Sequence, residues 1–288
     1  MTDEPWTIGR LLTWTTNYLK QQGGDTPRLD AEVLLAHAKQ TDRIALYTGF
    51  DTEVDELVRG RFRELIKRRA AGCPVAYLVG YREFYSLAFD VTPDVLIPRP
   101  ETEFLVMSAL DWAKAKDPER PWRILEVGTG SGIVAVCLAK YLPRATIVAT
   151  DISAPAIAVA QKNAEKHGVA DRIQFEVQDL ATIRQVADCE MLISNPPYIG
   201  NRESEDLARD VRDHEPHTAL FGGQRGDEFS SRLLDLAAPH LPQNAPVFFE
   251  INANLADEMR SLASRFDRFT SVEILSDLAG LPRILRAT

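Results

Sequence analysis

From Trp122 to the carboxyl end, short apolar runs alternate with amphipathic stretches, and this alternation restricts the fold more than any other feature of the chain. The runs at Arg123–Val127, Thr146–Thr150, Ile173–Val177, Met191–Ser194, Val247–Ile251, Val272–Leu275 and Ile284–Arg286 have the length and β-branched content of strands. Between them, Gly132–Tyr141, Ala154–His167, Glu228–Ala237 and Leu255–Ser264 repeat their apolar residues at helical spacing. Strands regularly separated by helices form an α/β fold, a mostly parallel sheet covered on both faces. The gap between the last two strands is too short for a crossover helix, so these two are expected to pair antiparallel.

Upstream the pattern changes. Ile8, Leu11, Leu12 and Leu19 mark one helical stripe, Leu29 to His37 a second, and Val54, Leu57, Phe62, Leu65 and Ile66 a third. Thr26-Pro27 and Asp51-Thr52 read as helix starts, Gly23-Gly24 and Gly49 as stops. Tyr77 to Val95 is rich in aromatic and β-branched residues and is expected to be a β-hairpin turning at Tyr85-Ser86, followed by a helix running on from Glu103. The expected organisation is a helical bundle over residues 1–75, a hairpin linker over 76–97, and the sheet domain over 98–288.

A net charge of −9 argues against stable binding to long nucleic acids, because such binding is driven by neutralising phosphates. Arg59, Arg61, Arg63, Lys67, Arg68 and Arg69 run along one expected helix; a solvated face is the simplest reading, with contact to ribosomal or transfer RNA, or to an acidic partner, as the alternative. No apolar run reaches the roughly 18–20 residues needed to span a bilayer. The acidic start, Met1 to Pro5, lacks a secretory pattern, so a cytoplasmic location is expected. Cys73, Cys137 and Cys189 are scattered without metal-ligand spacing, so no metal site is expected.

Two motifs carry chemistry. Gly128-Thr129-Gly130-Ser131-Gly132 joins the first sheet strand to its helix, where glycines let the backbone approach a ligand. Gly130-x-Gly132-x-x-Ala135 also fits the loose dinucleotide fingerprint, so the glycines alone do not decide the cofactor. Asp151 ends the next strand, placed for ribose hydroxyls. Asp179 and Leu180 end the third, where a carboxylate can receive an adenine amine and an apolar side chain can cover the ring. Asn195-Pro196-Pro197-Tyr198 ends the fourth. A carboxamide offers both donors and an acceptor, the prolines leave carbonyls free, and the tyrosine adds an aromatic face, which together suit a planar –C–NH2 group. In an open α/β sheet these strand ends converge, and their combination favours S-adenosylmethionine over a nicotinamide cofactor.

These residues resemble the HemK/PrmC protein-glutamine methyltransferases over nearly the whole chain. The resemblance is carried by Gly72 to Gly80, Glu83-Phe84, Val95 to Glu103, the glycine turn, Ser194 to Ile199, and Glu215-Pro216 with Ala219 to Gly223. It implies a class I methyltransferase sheet, S-adenosylmethionine as donor, and the glutamine of the Gly-Gly-Gln loop in class-1 peptide chain release factors as acceptor. It further implies that Gly128 to Gly132, Asp151, Asp179, Leu180 and Asn195 meet the donor, that Asn195, Pro196, Pro197 and Tyr198 meet the target glutamine, and that the helical domain helps to recognise the release factor, with indirect ribosome contact. Asn195, Pro196 and Tyr198 are the expected catalytic residues. The alternative is a methyltransferase for the exocyclic amine of adenine or guanine in nucleic acid, which presents the same planar NH2. The chain departs from the family at Asn252, where a glycine is usual after Glu250-Ile251, and in Gly226-Asp227-Glu228-Phe229, which lacks the usual leucine after the glycine. Its own Gly222-Gly223-Gln224 reads as coincidence, and His214 and His217 read as structural or solvated.

Overall fold

The computed structural model describes residues 5–288; Met1 to Glu4, on which the reading of the amino terminus rests, lie outside the described residues. The chain divides into two compact units, Met1–Gly80 with Ala208–His214, and Tyr81–Leu207 with Glu215–Thr288.

The first unit is helical: α1 (Ile8–Gln21), α2 (Pro27–Lys39), α3 (Arg43–Thr48), α4 (Glu56–Ala70) and the short α5 (Val75–Val79). Thr7 caps α1 by accepting from the Arg10 amide at 3.2 Å, and Pro27 occupies the first turn of α2 after Thr26, as expected. Leu12, Leu34, Leu35 and Leu46 are fully buried in its core. Three expectations fail here. Asp51-Thr52 does not start a helix; α4 begins at Glu56 under Asp55, whose carboxylate accepts from the Val58 amide at 2.9 Å. Leu57 lies on the outer face of α4, 67% exposed, because the buried stripe is set by Phe62 and Ile66. Tyr77 to Val79 form α5 rather than strand, closed by Gly80 at φ 83°. The basic run of α4 is largely paired, Arg59 and Arg63 with Glu56, Lys67 with Glu64, and Arg69 with the buried Asp30.

The second unit opens with the expected hairpin, β1 (Tyr81–Phe84) and β2 (Leu87–Asp90). Tyr85 and Ser86 at its turn both have positive φ, 52° and 60°, as a two-residue primed turn requires. Phe84 and Phe89 enter the core of this unit. After α6 (Thr102–Lys116) come β3 (Arg123–Val127), α7 (Ile133–Tyr141), β4 (Thr146–Asp151), α8 (Ala154–Lys166), β5 (Ile173–Val177) and β6 (Met191–Ser194). The short β7 (Ile199–Gly200) and β8 (Phe221–Gly223) pair with each other, and between them α9 (Arg209–His214) belongs to the first unit while α10 (His217–Leu220) belongs to the second. Then follow α11 (Glu228–Ala237), β9 (Val247–Glu250), α12 (Ala256–Ala263), β10 (Val272–Ser276) and β11 (Pro282–Ala287).

The seven-stranded sheet has the order β10-β11-β9-β6-β3-β4-β5. Pairing is parallel from β9 to β5, and β11 lies antiparallel to both β9 and β10, as the short final connection requires. Successive side chains in a strand face opposite ways, and the two cores divide accordingly. Ile124, Ile147, Met191, Ile193 and Phe248 pack on the α6 and α7 side; Leu125, Val127, Leu192, Val247, Phe249 and Leu285 pack on the α11 and α12 side. Phe248 and Phe249 are both fully buried, each worth roughly 1.5–3 kcal/mol in removed apolar surface. Because the chain leaves β3 toward β4 on one side and β6 lies on the other, the carboxyl ends of β3, β4 and β6 open into a crevice.

Candidate active site

That crevice holds a cavity of about 350 Å³, whose lining includes Gly128 to Ser131, Asp151, Asp179 and Leu180 together with Thr102, Asn195, Pro197, Thr218 and Phe229. The glycine turn is pinned at both ends. The amides of Gly128 and Thr129 donate to the Thr150 carbonyl at 2.8 and 2.9 Å, and the Gly130 amide donates to Asp151 Oδ2 at 2.9 Å. Gly132 has φ 80°, and a Cβ there would lie 3.0 Å from Ala160 Cβ on α8, so glycine lets the turn pack directly on that helix. Asp151 Oδ1 accepts from the Ser153 amide at 2.9 Å, while Ser153 itself caps α8. Burial pushes the Asp151 carboxyl above its ordinary range, against the pull of these amides.

Beneath the turn lies Glu126, fully buried, accepting from Thr129 Oγ1 at 2.7 Å and the Ala135 amide at 3.2 Å. Burial pushes its carboxyl up to about 8 despite these donors, with Asp151 adding to the rise. Ser194 Oγ donates to the Val127 carbonyl at 2.6 Å, fastening the end of β6 to the end of β3. Asn195 Nδ2 donates to Thr102 Oγ1 at 3.1 Å. Tyr198 donates its hydroxyl to Glu250 Oε1 at 3.1 Å, and burial holds the phenol above its usual range. Arg99 meets the buried Glu215 at 2.6 Å, and Glu215 also accepts from the Ile97 amide at 3.1 Å, which fixes the segment before α10 against the start of the sheet domain.

Comparison with known proteins identifies the relatives of this arrangement. Residues 10–80 match the PrmC N-terminal domain and residues 105–213 the methyltransferase small domain. The chain is 43% identical to the release factor glutamine methyltransferase of Rhodopirellula baltica over 285 residues, 98% of this chain and 96% of that one. It is 39% identical to that of Moorella thermoacetica, covering 98% of both chains. The chain belongs to the release factor glutamine methyltransferase family. Among solved structures, the hMettl16 catalytic domain, in complex with an RNA hairpin, is 16% identical with a TM-score of 0.56, covering 78% of this chain and 80% of that one. A methyltransferase from Pyrococcus furiosus is 17% identical with a TM-score of 0.50, covering 78% and 95%. At those identities the likeness shows a shared fold, the class I methyltransferase sheet.

In this family member the cavity gathers most of the residues singled out by motif. Gly128, Thr129, Gly130, Ser131, Asp151, Asp179, Leu180, Asn195 and Pro197 line it. Gly132, Pro196 and Tyr198 do not: Gly132 turns toward α8, Pro196 is buried, and Tyr198 reaches away to Glu250. His214 lies beside Gly72 in the first unit, and His217 packs edge-on against Phe221; neither lines the cavity. Gln224 is exposed and also off the cavity wall.

Sequence reading missed Thr102, Glu126, Glu250 and Asn163. Asn163 is fully buried on α8, donating to the Ser131 carbonyl at 2.8 Å and the Asp90 carbonyl at 3.0 Å while its Oδ1 accepts from the Asp90 amide at 2.8 Å. It therefore clips the hairpin to the glycine turn. A lone polar residue on an otherwise apolar helical stripe was the available signal, since a buried carboxamide survives only with its partners in place.

Proposed function

We propose that this chain transfers a methyl group from S-adenosylmethionine to the side-chain amide nitrogen of the glutamine in the Gly-Gly-Gln loop of class-1 peptide chain release factors. The observation that carries the reading is that the Asn195 carboxamide, held by Thr102, opens on the same cavity as the glycine turn and Asp151. The lining suits the donor. Gln178 Oε1, buried on the cavity wall, has no hydrogen-bond partner among the described residues, so a polar ligand group there would relieve its cost. Gly128 to Ser131, Asp151, Asp179 and Leu180 are the residues that would hold the donor, with the Asp151 carboxylate on ribose hydroxyls. Bound S-adenosylmethionine supplies an electrophilic methyl group on a sulfonium.

An amide nitrogen is a weak nucleophile, so the work left to the protein is alignment; the N–C bond forms as the methyl–sulfur bond breaks, and the proton lost from nitrogen leaves to water, with no strongly basic side chain required. With its nitrogen committed to Thr102, Asn195 has its oxygen free to accept from the target NH2. Pro196, expected as a second acceptor, is buried and off the cavity wall, so the Asn195 oxygen is the acceptor that orients the NH2 and stabilises the positive charge that develops on nitrogen. Tyr198, with its hydroxyl committed to Glu250, braces this turn from behind instead of stacking from the cavity wall. The helical unit is assigned to recognition of the release factor, and a cytoplasmic location follows from that substrate; no described helix is long and apolar enough to cross a membrane.

The test is mass spectrometry of purified release factor after incubation with the chain and S-adenosylmethionine. One added methyl on the glutamine of Gly-Gly-Gln is expected. Label appearing on DNA or ribosomal RNA, with the release factor unmodified, would transfer the assignment to the aminopurine alternative.

A further inference from the structure

The peptide between Ser131 and Gly132 closes the glycine turn, and it is held at both ends. Its N–H donates to the Thr129 carbonyl at 2.8 Å, and its carbonyl accepts from Asn163 Nδ2 on α8 at 2.8 Å. Gly132 follows at φ 80°. Turning a peptide plane over changes the φ of the next residue by about 180°, and glycine tolerates either setting. The glycine that lets the turn fold therefore also gives this peptide a second orientation. The bond to Thr129 comes from the same loop and can move with it, so a contact from outside the turn is needed to choose between the two.

Asn163 is suited to that choice. It is fully buried, and its carboxamide has no hydrogen to spare: Oδ1 accepts from the Asp90 amide at 2.8 Å, while Nδ2 divides its two hydrogens between the Asp90 carbonyl at 3.0 Å and the Ser131 carbonyl. The two bonds to one residue of β2 set the plane of the carboxamide and the end that carries the nitrogen, since a reversed amide would put its oxygen against two carbonyls. The remaining N–H is then aimed at Ser131. Ala160, three residues earlier on α8, is the residue that a Cβ on Gly132 would meet at 3.0 Å, so one helix face gives the turn both its room and its bond. Ser131 lines the cavity with Gly128 to Gly130, whereas Asn163 does not.

We propose that Asn163 is a positioning residue for the methyl donor, which acts through the Ser131 carbonyl to fix the orientation of the Ser131–Gly132 peptide, with β2 as the template that orients its carboxamide. The inference rests on the functional reading above and adds to the donor site a residue outside the cavity lining.

The experiment uses the full chain with Asn163→Leu and Asn163→Asp. Leucine is close in size and has no polar side-chain atom; aspartate keeps an acceptor for the Asp90 amide but, when ionised, has no hydrogen for Ser131. Affinity for S-adenosylmethionine, read by calorimetry on protein shown to be folded by near-UV circular dichroism, is expected to fall roughly 10- to 100-fold in both variants. The KM for S-adenosylmethionine should rise in step, while kcat on purified release factor at saturating donor stays within a few-fold of the wild type. A side chain that only supports folding would not give that split, because loss of folded protein lowers kcat and leaves KM alone. If the leucine variant does not fold, the aspartate variant decides, since it keeps the bond to the Asp90 amide. Wild-type donor affinity in either folded variant would overturn the proposal, and so would a fall in kcat with KM unchanged. If the wild-type chain binds no S-adenosylmethionine, the functional reading fails first and takes this inference with it; if wild type binds the donor and the variants match it, this inference alone fails.

Discussion

The carboxyl of Glu126 makes the stability of the sheet domain depend on pH in a way that can be calculated. Its ordinary value is 4.5, and burial moves it to about 8 in the folded chain. The folded state therefore keeps its proton to a higher pH than the unfolded state does. Stability is complete below about pH 4.5, declines as pH rises, and stops declining once pH passes the folded value near 8. At about 1.4 kcal/mol for each pH unit between the two values, the span from 4.5 to about 8 amounts to roughly 5 kcal/mol. About 4 kcal/mol of this falls between pH 5 and pH 9. Glu126→Gln keeps the size of the side chain and its acceptor for Thr129 Oγ1 and the Ala135 amide, but carries no charge at any pH. Urea unfolding followed by tryptophan emission suits the measurement, because Trp112 and Trp122, 5.3 Å apart, sit in the same unit as Glu126. The variant should match the wild type near pH 5 and exceed it by about 4 kcal/mol near pH 9. Subtracting the two curves removes Glu250, which ionises in both. Parallel curves from pH 5 to pH 9 would mean that Thr129 and the Ala135 amide hold Glu126 ionised at an ordinary value, and the account of the turn's foundation would fail.

Three other perturbations separate donor binding from turnover. Asn195→Ala should lower turnover on release factor by about 100-fold or more while donor affinity, read by calorimetry, stays within a few-fold; equal loss of both would move Asn195 to the donor side. Asp151→Ala should weaken donor binding by roughly 10- to 100-fold, since it removes the proposed ribose acceptor and frees the Gly130 amide; unchanged affinity would count against that role. Gly222→Ala would place a Cβ 2.2 Å from the Pro197 carbonyl oxygen, so the backbone behind the Asn195 turn must shift. A displacement near 1 Å there is expected to cut turnover by about 100-fold, and steady-state kinetics at saturating donor would show it.

The framework of the sheet domain was legible because each of its elements is specified by local chemistry. The strands β3, β5 and β6 fall where the apolar runs placed them, and the antiparallel end of the sheet follows from a connection too short to cross over. Pro27 in its first turn marked the start of α2, and positive φ at Tyr85 and Ser86 fits a turn placed from composition alone. The errors also have local causes. Tyr77 to Val79 have strand-forming side chains, yet Pro74 starts and Gly80 ends a single helical turn around them. Asp51-Thr52 and Asp55 are all competent caps, and only the later one lies beside a stretch that can bury Phe62 and Ile66.

The two sides of the cavity differed in legibility for the same reason. The residues proposed to hold the donor belong to strand ends: the glycine turn follows β3, Asp151 ends β4 and Asp179 follows β5 after Gln178, so motif and position coincide. On the substrate side, Asn195 depends on Thr102, 93 residues away, and Tyr198 on Glu250, 52 residues away. Gly222 and Gly226 are needed because the Pro197 and Tyr198 carbonyls come within 2.2 and 2.4 Å of where their Cβ atoms would stand, an approach set by the packing of β7 and β8. None of these partners has a pattern of its own. A threonine before a helix reads as a cap and a glutamate after an apolar strand reads as a surface residue, until the sheet brings both behind the same asparagine. The motif thus marks the turn, and the tertiary fold supplies the partners that hold it.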